Sequence, residues 1–155
     1  MGRRMKINIV AIGNKMPAWV RDGIEDYMKR LSADLRLIEI VPVKTSHNPE
    51  TIMLQEGKKL LAAIPNNHRI VALAIKGKSY NTAQFVERLK TWQMDGRDVS
   101  LLIGGANGLS PECFERASET WSLSPLTFPH MLARLIVVEQ LYRAISQLNN
   151  HPYHR

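Results

Sequence analysis

Cysteine is nearly absent from this chain: Cys113 is the only one among 155 residues. A single thiol cannot close an internal disulfide or build a cysteine-based zinc site, which excludes a small secreted domain held by staples. Long apolar runs are missing as well; none approaches the roughly 18 residues that a membrane-spanning helix needs. Phosphate-cradling motifs are also missing. Neither G-x-G-x-x-G nor G-x-x-x-x-G-K-S/T occurs, so a dinucleotide or ATP site has little support. His47, His68, His130, His151 and His154 show no H-x-x-x-H or H-E-x-x-H spacing, and no metal site is expected. Asp22, Glu25 and Asp26 read as a solvated helix face, not as carboxylates paired for acid–base work. Gly2-Arg3-Arg4 starts like a charged leader, but the apolar run from Ile7 to Ile12 contains Asn8 and is too short for a signal-peptide core. Lys6 stands where myristoylation would need Ser or Thr. The expectation is a cytoplasmic protein.

What is present suits a globular fold. The chain is 45% hydrophobic and 23% charged, with a mean hydropathy of -0.21. Its length fits one domain, 1–155, able to bury a sizeable core. Lys and Arg total 21 against 14 acids, a net charge of +7 and a pI near 9.8. Such a surplus suggests an anionic partner, nucleic acid ahead of an anionic membrane. The surplus is uneven: nine Lys/Arg against five acids in 1–49, eight against five in 50–99, and four against four in 100–155.

Apolar runs alternate with helical periods along the whole length. Lys6 to Ile12 reads as a strand closed by Gly13, and Pro17 suits a helix start. Val20, Ile24, Tyr27, Met28 and Leu31 follow at helical spacing. Leu35 to Val43 is a second strand, with Pro42 arguing for an edge position. Asn48-Pro49-Glu50 is a cap-and-proline helix start, and Met53, Leu60, Leu61 and Ile64 give that helix its apolar face. Arg69 to Ile75, broken by Gly77, is a continuously apolar strand of the kind buried on both sides of a parallel sheet. A helix from about Thr82 places Phe85, Val86, Leu89 and Trp92 on one side. Val99 to Ile103 is the fourth strand, and Ser110-Pro111-Glu112 starts another helix. After the apolar segment from Trp121 to Phe128, the last helix runs from about Met131 to Leu148, with Met131, Leu135, Val138, Tyr142 and Ile145 inward. This alternation predicts an α/β fold, a mainly parallel sheet with helices on both faces. Periodicity does not give the strand order.

Ligands of open α/β sheets sit beyond the carboxyl ends of strands. Three such segments are unusual: Leu73 to Lys78, the glycine-rich run Ile103 to Gly108, and Leu123-Ser-Pro-Leu-Thr-Phe-Pro129. The glycine run is either a close-approach surface for a ligand or a tight strand-to-helix turn. Cys113, in a first helical turn, reads as an inert thiol because no base adjoins it in sequence. Arg134 and Arg143 fall on different faces of the last helix, nine residues apart. The tail His151-Pro-Tyr-His-Arg155 is either a frayed end or a cluster of groups that stack on bases and bind phosphate.

Asp95-Gly-Arg-Asp-Val-Ser-Leu-Leu-Ile-Gly-Gly105, Gly108-Leu-Ser110, Trp121-Ser-Leu-Ser124, Leu126-Thr127, Pro129-His130 and Asn150-His-Pro-Tyr-His-Arg155 resemble the ribosomal RNA large subunit methyltransferase H family. Val10-Ala11, Lys15-Met16-Pro17 and Trp19-Val20 match it too, so the resemblance spans essentially the whole chain. It implies a SPOUT-type fold with a C-terminal trefoil knot, which ordinary connection rules would argue against. It also implies a homodimer, S-adenosylmethionine as methyl donor, and N3 of a pseudouridine in large-subunit ribosomal RNA as acceptor, on the assembled ribosome. The cofactor contacts it implies are Leu73, Gly104, Leu123, Ser124, Pro125, Leu126, Thr127 and Phe128; the polar groups at the acceptor are His130, Arg143, Tyr153 and His154. The turn Gly105-Ala106-Asn107-Gly108 departs from the Pro-Glu-Gly form common in that family, so no acidic side chain stands there. Two rivals use the same residues: a non-catalytic ribosome-binding protein, and a small-molecule nucleotide enzyme built on the glycine run, which would show no salt-dependent RNA affinity.

Overall fold

The computed structural model describes residues 5–31, 34–44 and 48–149. Five strands, β1 (Ile7–Ile12), β2 (Leu35–Ile40), β3 (Arg69–Ser79), β4 (Val99–Ile103) and β5 (Glu119–Ser122), form one sheet in the order β2-β1-β4-β3-β5. Every neighbouring pair is parallel. The helices between and after them are α1 (Ala18–Met28), α2 (Pro49–Ala62), α3 (Thr82–Asp95), α4 (Pro111–Arg116) and α5 (His130–Leu148). None is long and apolar enough to cross a membrane.

The predicted punctuation works locally. Asn48 accepts a hydrogen bond from the Thr51 amide at 2.7 Å, with Pro49 in the first turn, and Ser110 caps α4 through the Cys113 amide at 3.3 Å. The spacing predicts a helix from about Thr82 without naming its cap; the structure adds a capping box of Asn81 and Gln84 there. The edge position that Pro42 suggests for β2 is found.

β1 shows how the sheet is buried. Ile7, Ile9 and Ala11 pack on one face with residues of α1, α3 and α5, while Val10 and Ile12 pack on the other with α2 and α4. Side chains alternate across a strand, so a strand covered on both faces is apolar at nearly every position, in β1 at all but the buried Asn8. Phe85, Val86, Leu89 and Trp92 of α3 are buried as the spacing predicts. In α2 the inward stripe is Ile52, Leu60 and Leu61, with Met53 and Ile64 only half-buried. In α5, Val138, Tyr142 and Ile145 are buried while Met131 and Leu135 are partly covered.

β3 departs from the expected course. Gly77 does not end it; the strand continues to Ser79. Trp121 of β5 is paired with both Leu73 and Lys78, so residues 74–77 arch out of the ladder. Gly77 makes the arch possible, because a Cβ there would meet the Trp121 carbonyl carbon at 2.5 Å.

The short edge strand β5 is held by its side chains. Trp121 stacks on the fully buried Trp92 at 4.9 Å between centroids and meets Phe85 edge-on at 4.7 Å. Such pairs contribute about 0.5–1.5 kcal/mol beyond burial. Glu119 accepts hydrogen bonds from both indole N–H groups, at 2.9 Å and 3.1 Å, and from Arg88. Burial alone would raise the Glu119 pKa, but these donors prevail and hold it below the usual carboxylate range. The anchored β5 fixes the start of the 123–129 segment.

Candidate functional site

The carboxyl ends of β3, β4 and β5 enclose a cavity of about 670 Å³. That is the size of a nucleoside-scale ligand site. The β3 arch contributes Leu73, Ala74, Ile75 and Lys76; the end of β4 contributes Ile103, Gly104 and Gly105. Leu123, Ser124, Leu126, Thr127 and Phe128 form a further wall, and His130 opens α5 beside them. The three segments singled out in sequence therefore meet because β4, β3 and β5 are neighbours in the sheet.

The glycine turn is both a tight turn and a cavity wall. The Gly108 amide donates to the Gly105 carbonyl at 3.1 Å, closing it. At Gly104 a Cβ would stand 2.7 Å from the Gly108 carbonyl carbon, so only glycine fits without moving backbone. Across the cavity, the Ser122 hydroxyl donates to the Ser124 carbonyl and the Leu126 amide donates to Ser124 Oγ, both at 3.0 Å. These local bonds shape the 123–129 segment while Leu126 stays 69% exposed at the mouth. Pro125 is exposed on the same segment and is not among the lining residues.

His130 is half-buried. Burial, and next the Arg134 cation, lower its pKa from 6.5, with Glu56 acting the other way. A lowered histidine pKa means that the folded protein resists protonation. The stability is complete above about pH 6.5 and is lost as pH falls toward the folded value. Urea melts at pH 7.5 and 5.5 should therefore show a smaller loss for His130→Asn than for the wild type; equal losses would contradict this assignment.

Arg134 and Glu56 do not stand out as site residues in the sequence. Arg134 is fully buried one turn beyond His130; it donates to Glu39 Oε2 at 2.8 Å and to the carbonyls of Ile12 and Gly13 at 3.1 Å and 3.2 Å. A signal does exist: Arg134 lies three residues after Met131 and four before Val138, on the predicted inward stripe. Burial lowers its pKa, and the Glu39 carboxylate opposes that shift. Arg143 lies 13 residues beyond His130 on α5, roughly 20 Å along the axis. It is ion-paired with Glu139, its Nε donating at 2.9 Å, and does not line the cavity. Tyr153, His154 and the rest of 150–155 fall outside the described residues. Cys113 is buried, with Sγ 3.7 Å from the Gly57 carbonyl and 3.4 Å from Ser110 Oγ.

Comparison with known proteins fits this geometry. The family profile described as "Predicted SPOUT methyltransferase" matches residues 5–154. The chain belongs to the SPOUT methyltransferase family. Among curated proteins, ribosomal RNA large subunit methyltransferase H from Methylococcus capsulatus is 49% identical over 155 residues, covering 97% of this chain and 100% of that protein. Among solved structures, a methylase family protein from Neisseria gonorrhoeae superposes with a TM-score of 0.56 at 15% identity, covering 89% of this chain and 82% of that one. A methylase family protein from Haemophilus influenzae gives 0.52 at 13% identity, covering 94% and 67%. These distant likenesses concern the fold. In this SPOUT enzyme the cavity contains Leu73, Gly104, Leu123, Ser124, Leu126, Thr127, Phe128 and His130 of the residues expected from sequence.

Proposed function

We propose that this SPOUT methyltransferase uses S-adenosylmethionine to methylate N3 of a pseudouridine in large-subunit ribosomal RNA, on the assembled ribosome in the cytoplasm. The observation that carries the proposal is the convergence of the β3 arch, the Gly104 turn and the 123–128 segment on one cavity. Those residues suit the donor. The bare Gly104 backbone leaves room for an adenosyl group, Leu73, Leu123 and Leu126 offer apolar walls, and main-chain groups of the 123–128 segment can read an adenine edge. Bound S-adenosylmethionine would supply a methyl group on a sulfonium leaving group.

The protein's own task is then to orient the acceptor and to stabilise charge on its base. His130 is held toward its uncharged form at the cavity wall and can hydrogen-bond the acceptor. Arg143, Tyr153 and His154 complete our assignment, Arg143 or Arg155 for an anionic base or a phosphate and His154 as proton acceptor. Arg143 is far along α5 from His130, which favours a homodimer in which one protomer's tail completes the other's site. The trefoil knot and the single-domain organisation belong to the same proposal. The positive surplus of residues 1–99 serves as the RNA-docking surface.

Ribosomal RNA from a strain lacking the protein tests this by mass spectrometry. One N3-methylated pseudouridine should disappear and return on complementation; unchanged RNA would sink the proposal. Mixed dimers of tail-deleted and Gly104-substituted chains should regain activity if the sites are shared.

A further inference from the structure

α2 buries a carboxylate. Glu56 lies one turn after Ile52 and one before Leu60, on the inward side of the helix, and is only 4% exposed. Its Oε2 accepts a hydrogen bond from the Val43 amide at 3.1 Å. Its Oε1 is buried and has no hydrogen-bond partner among the described residues. A buried carboxylate oxygen without a donor is destabilising, so its retention calls for an explanation.

Its position supplies one. Gly105 lines the cavity, and a Cβ placed on Gly105 would stand 3.2 Å from Glu56 Oε1. No side chain of Gly105 therefore separates the carboxylate from the turn. His130, on the same cavity, feels the Glu56 charge. At His130 the Arg134 cation acts more strongly than Glu56 and in the opposite sense. Arg134 is paired with Glu39 at 2.8 Å, and Arg21 lies within electrostatic reach of Arg134. Burial holds His130 toward its neutral form. Lys76 carries the one formal charge among the described lining residues, and its ammonium sits over the Phe114 ring at 4.0 Å.

We propose that Glu56 is a charge-selecting residue of the cavity, its buried carboxylate behind Gly105 favouring a cationic occupant over a neutral one of the same shape. This rests on the reading of S-adenosylmethionine as donor. The donor carries a sulfonium charge that the thioether left after transfer lacks. Charges in a poorly hydrated interior are weakly screened, so one carboxylate can distinguish the two. Donor is thereby retained and product released by the same site, a specificity set by a difference of affinities.

Calorimetry on the full-length protein tests the proposal, with S-adenosylmethionine and S-adenosylhomocysteine titrated separately into wild type and Glu56→Gln. Glutamine keeps an acceptor for the Val43 amide and removes the charge. The S-adenosylmethionine Kd is expected to rise about tenfold, the scale of one charge interaction at intermediate dielectric, while the S-adenosylhomocysteine Kd stays within about twofold. Equal weakening of both ligands would make Glu56 purely structural, and unchanged affinities would show that its charge is not felt; either overturns the proposal. Thermal melting checks that the variant folds. If it does not, the wild type decides through sinefungin, which bears an ammonium in place of the sulfonium. Sinefungin should bind more tightly than S-adenosylhomocysteine, and equal or weaker binding overturns the proposal. Failure of the donor reading is distinct, since the wild type would then bind none of these nucleosides.

Discussion

Replacing Arg134 by methionine should lower stability by about 3–5 kcal/mol, because it strips a buried charge network of one partner. The guanidinium is fully buried and serves three acceptors: Glu39 Oε2, the Ile12 carbonyl and the Gly13 carbonyl. Methionine fills much of the volume but leaves the carboxylate and both carbonyls without their donor. Glu39 is 24% exposed at its side chain, so water can recover part of its solvation, which argues for the lower half of that range. Lysine keeps the charge but cannot present the fork and should fall between. Adding Glu39→Gln to Arg134→Met should recover some of the loss, because the stranded charge is gone. Urea denaturation measures each variant. A loss below about 1 kcal/mol for Arg134→Met would mean that the network contributes little.

Alanine at position 104 should abolish most donor binding, by at least roughly 30-fold, with a stability loss of about 1–3 kcal/mol for the backbone shift. The added methyl would meet the Gly108 carbonyl carbon at 2.7 Å, its oxygen at 2.8 Å and the Leu109 amide at 3.0 Å. All three are backbone, so the turn itself must open, and that turn is cavity wall. The control is Gly96→Ala. Gly96 ends α3 at φ 86°, and a methyl added there would find nothing within 4 Å. There the left-handed backbone alone is penalised, by about 1 kcal/mol, at a helix end that does not line the cavity. Calorimetry with S-adenosylmethionine should find Gly96→Ala at wild-type affinity and Gly104→Ala far below it. Equal affinities for the two variants would remove the Gly104 turn from the proposed cofactor site.

Much of this is legible along the chain. Asn48-Pro49 and Ser110-Pro111 mark helix starts because caps and prolines act on their own few residues. The continuously apolar run of β3 announces a strand covered on both faces, which holds at Ile70, Val71 and Ala72, while β1 and β4 are buried throughout although they carry Asn8 and Ser100. The glycine run and the 123–129 segment stand out by composition, and both reach the cavity. The family resemblance of the quoted motifs points to a methyltransferase, as the family match bears out.

Other features needed the assembled sheet. In sequence the β3 arch reads as a strand end at Gly77, because a glycine breaks a pattern equally well at a terminus and where another backbone approaches. Glu56 and Arg134 occupy inward helical positions, yet a charged residue in an apolar stripe does not reveal whether it is capped by solvent or buried with a partner. That depends on the Val43 amide, Glu39 and the Ile12 and Gly13 carbonyls, which lie 13, 95, 122 and 121 residues away. The sequence by itself marked the helices, the first four strands, the Asn48 and Ser110 caps and the three segments capable of binding a ligand, since these follow from short-range sterics and hydrogen bonding; β5 reads only as part of an apolar segment from Trp121 to Phe128. Only the tertiary structure decided that β4, β3 and β5 lie side by side and bring those segments to one cavity, because strand pairing is a long-range choice that local period does not encode.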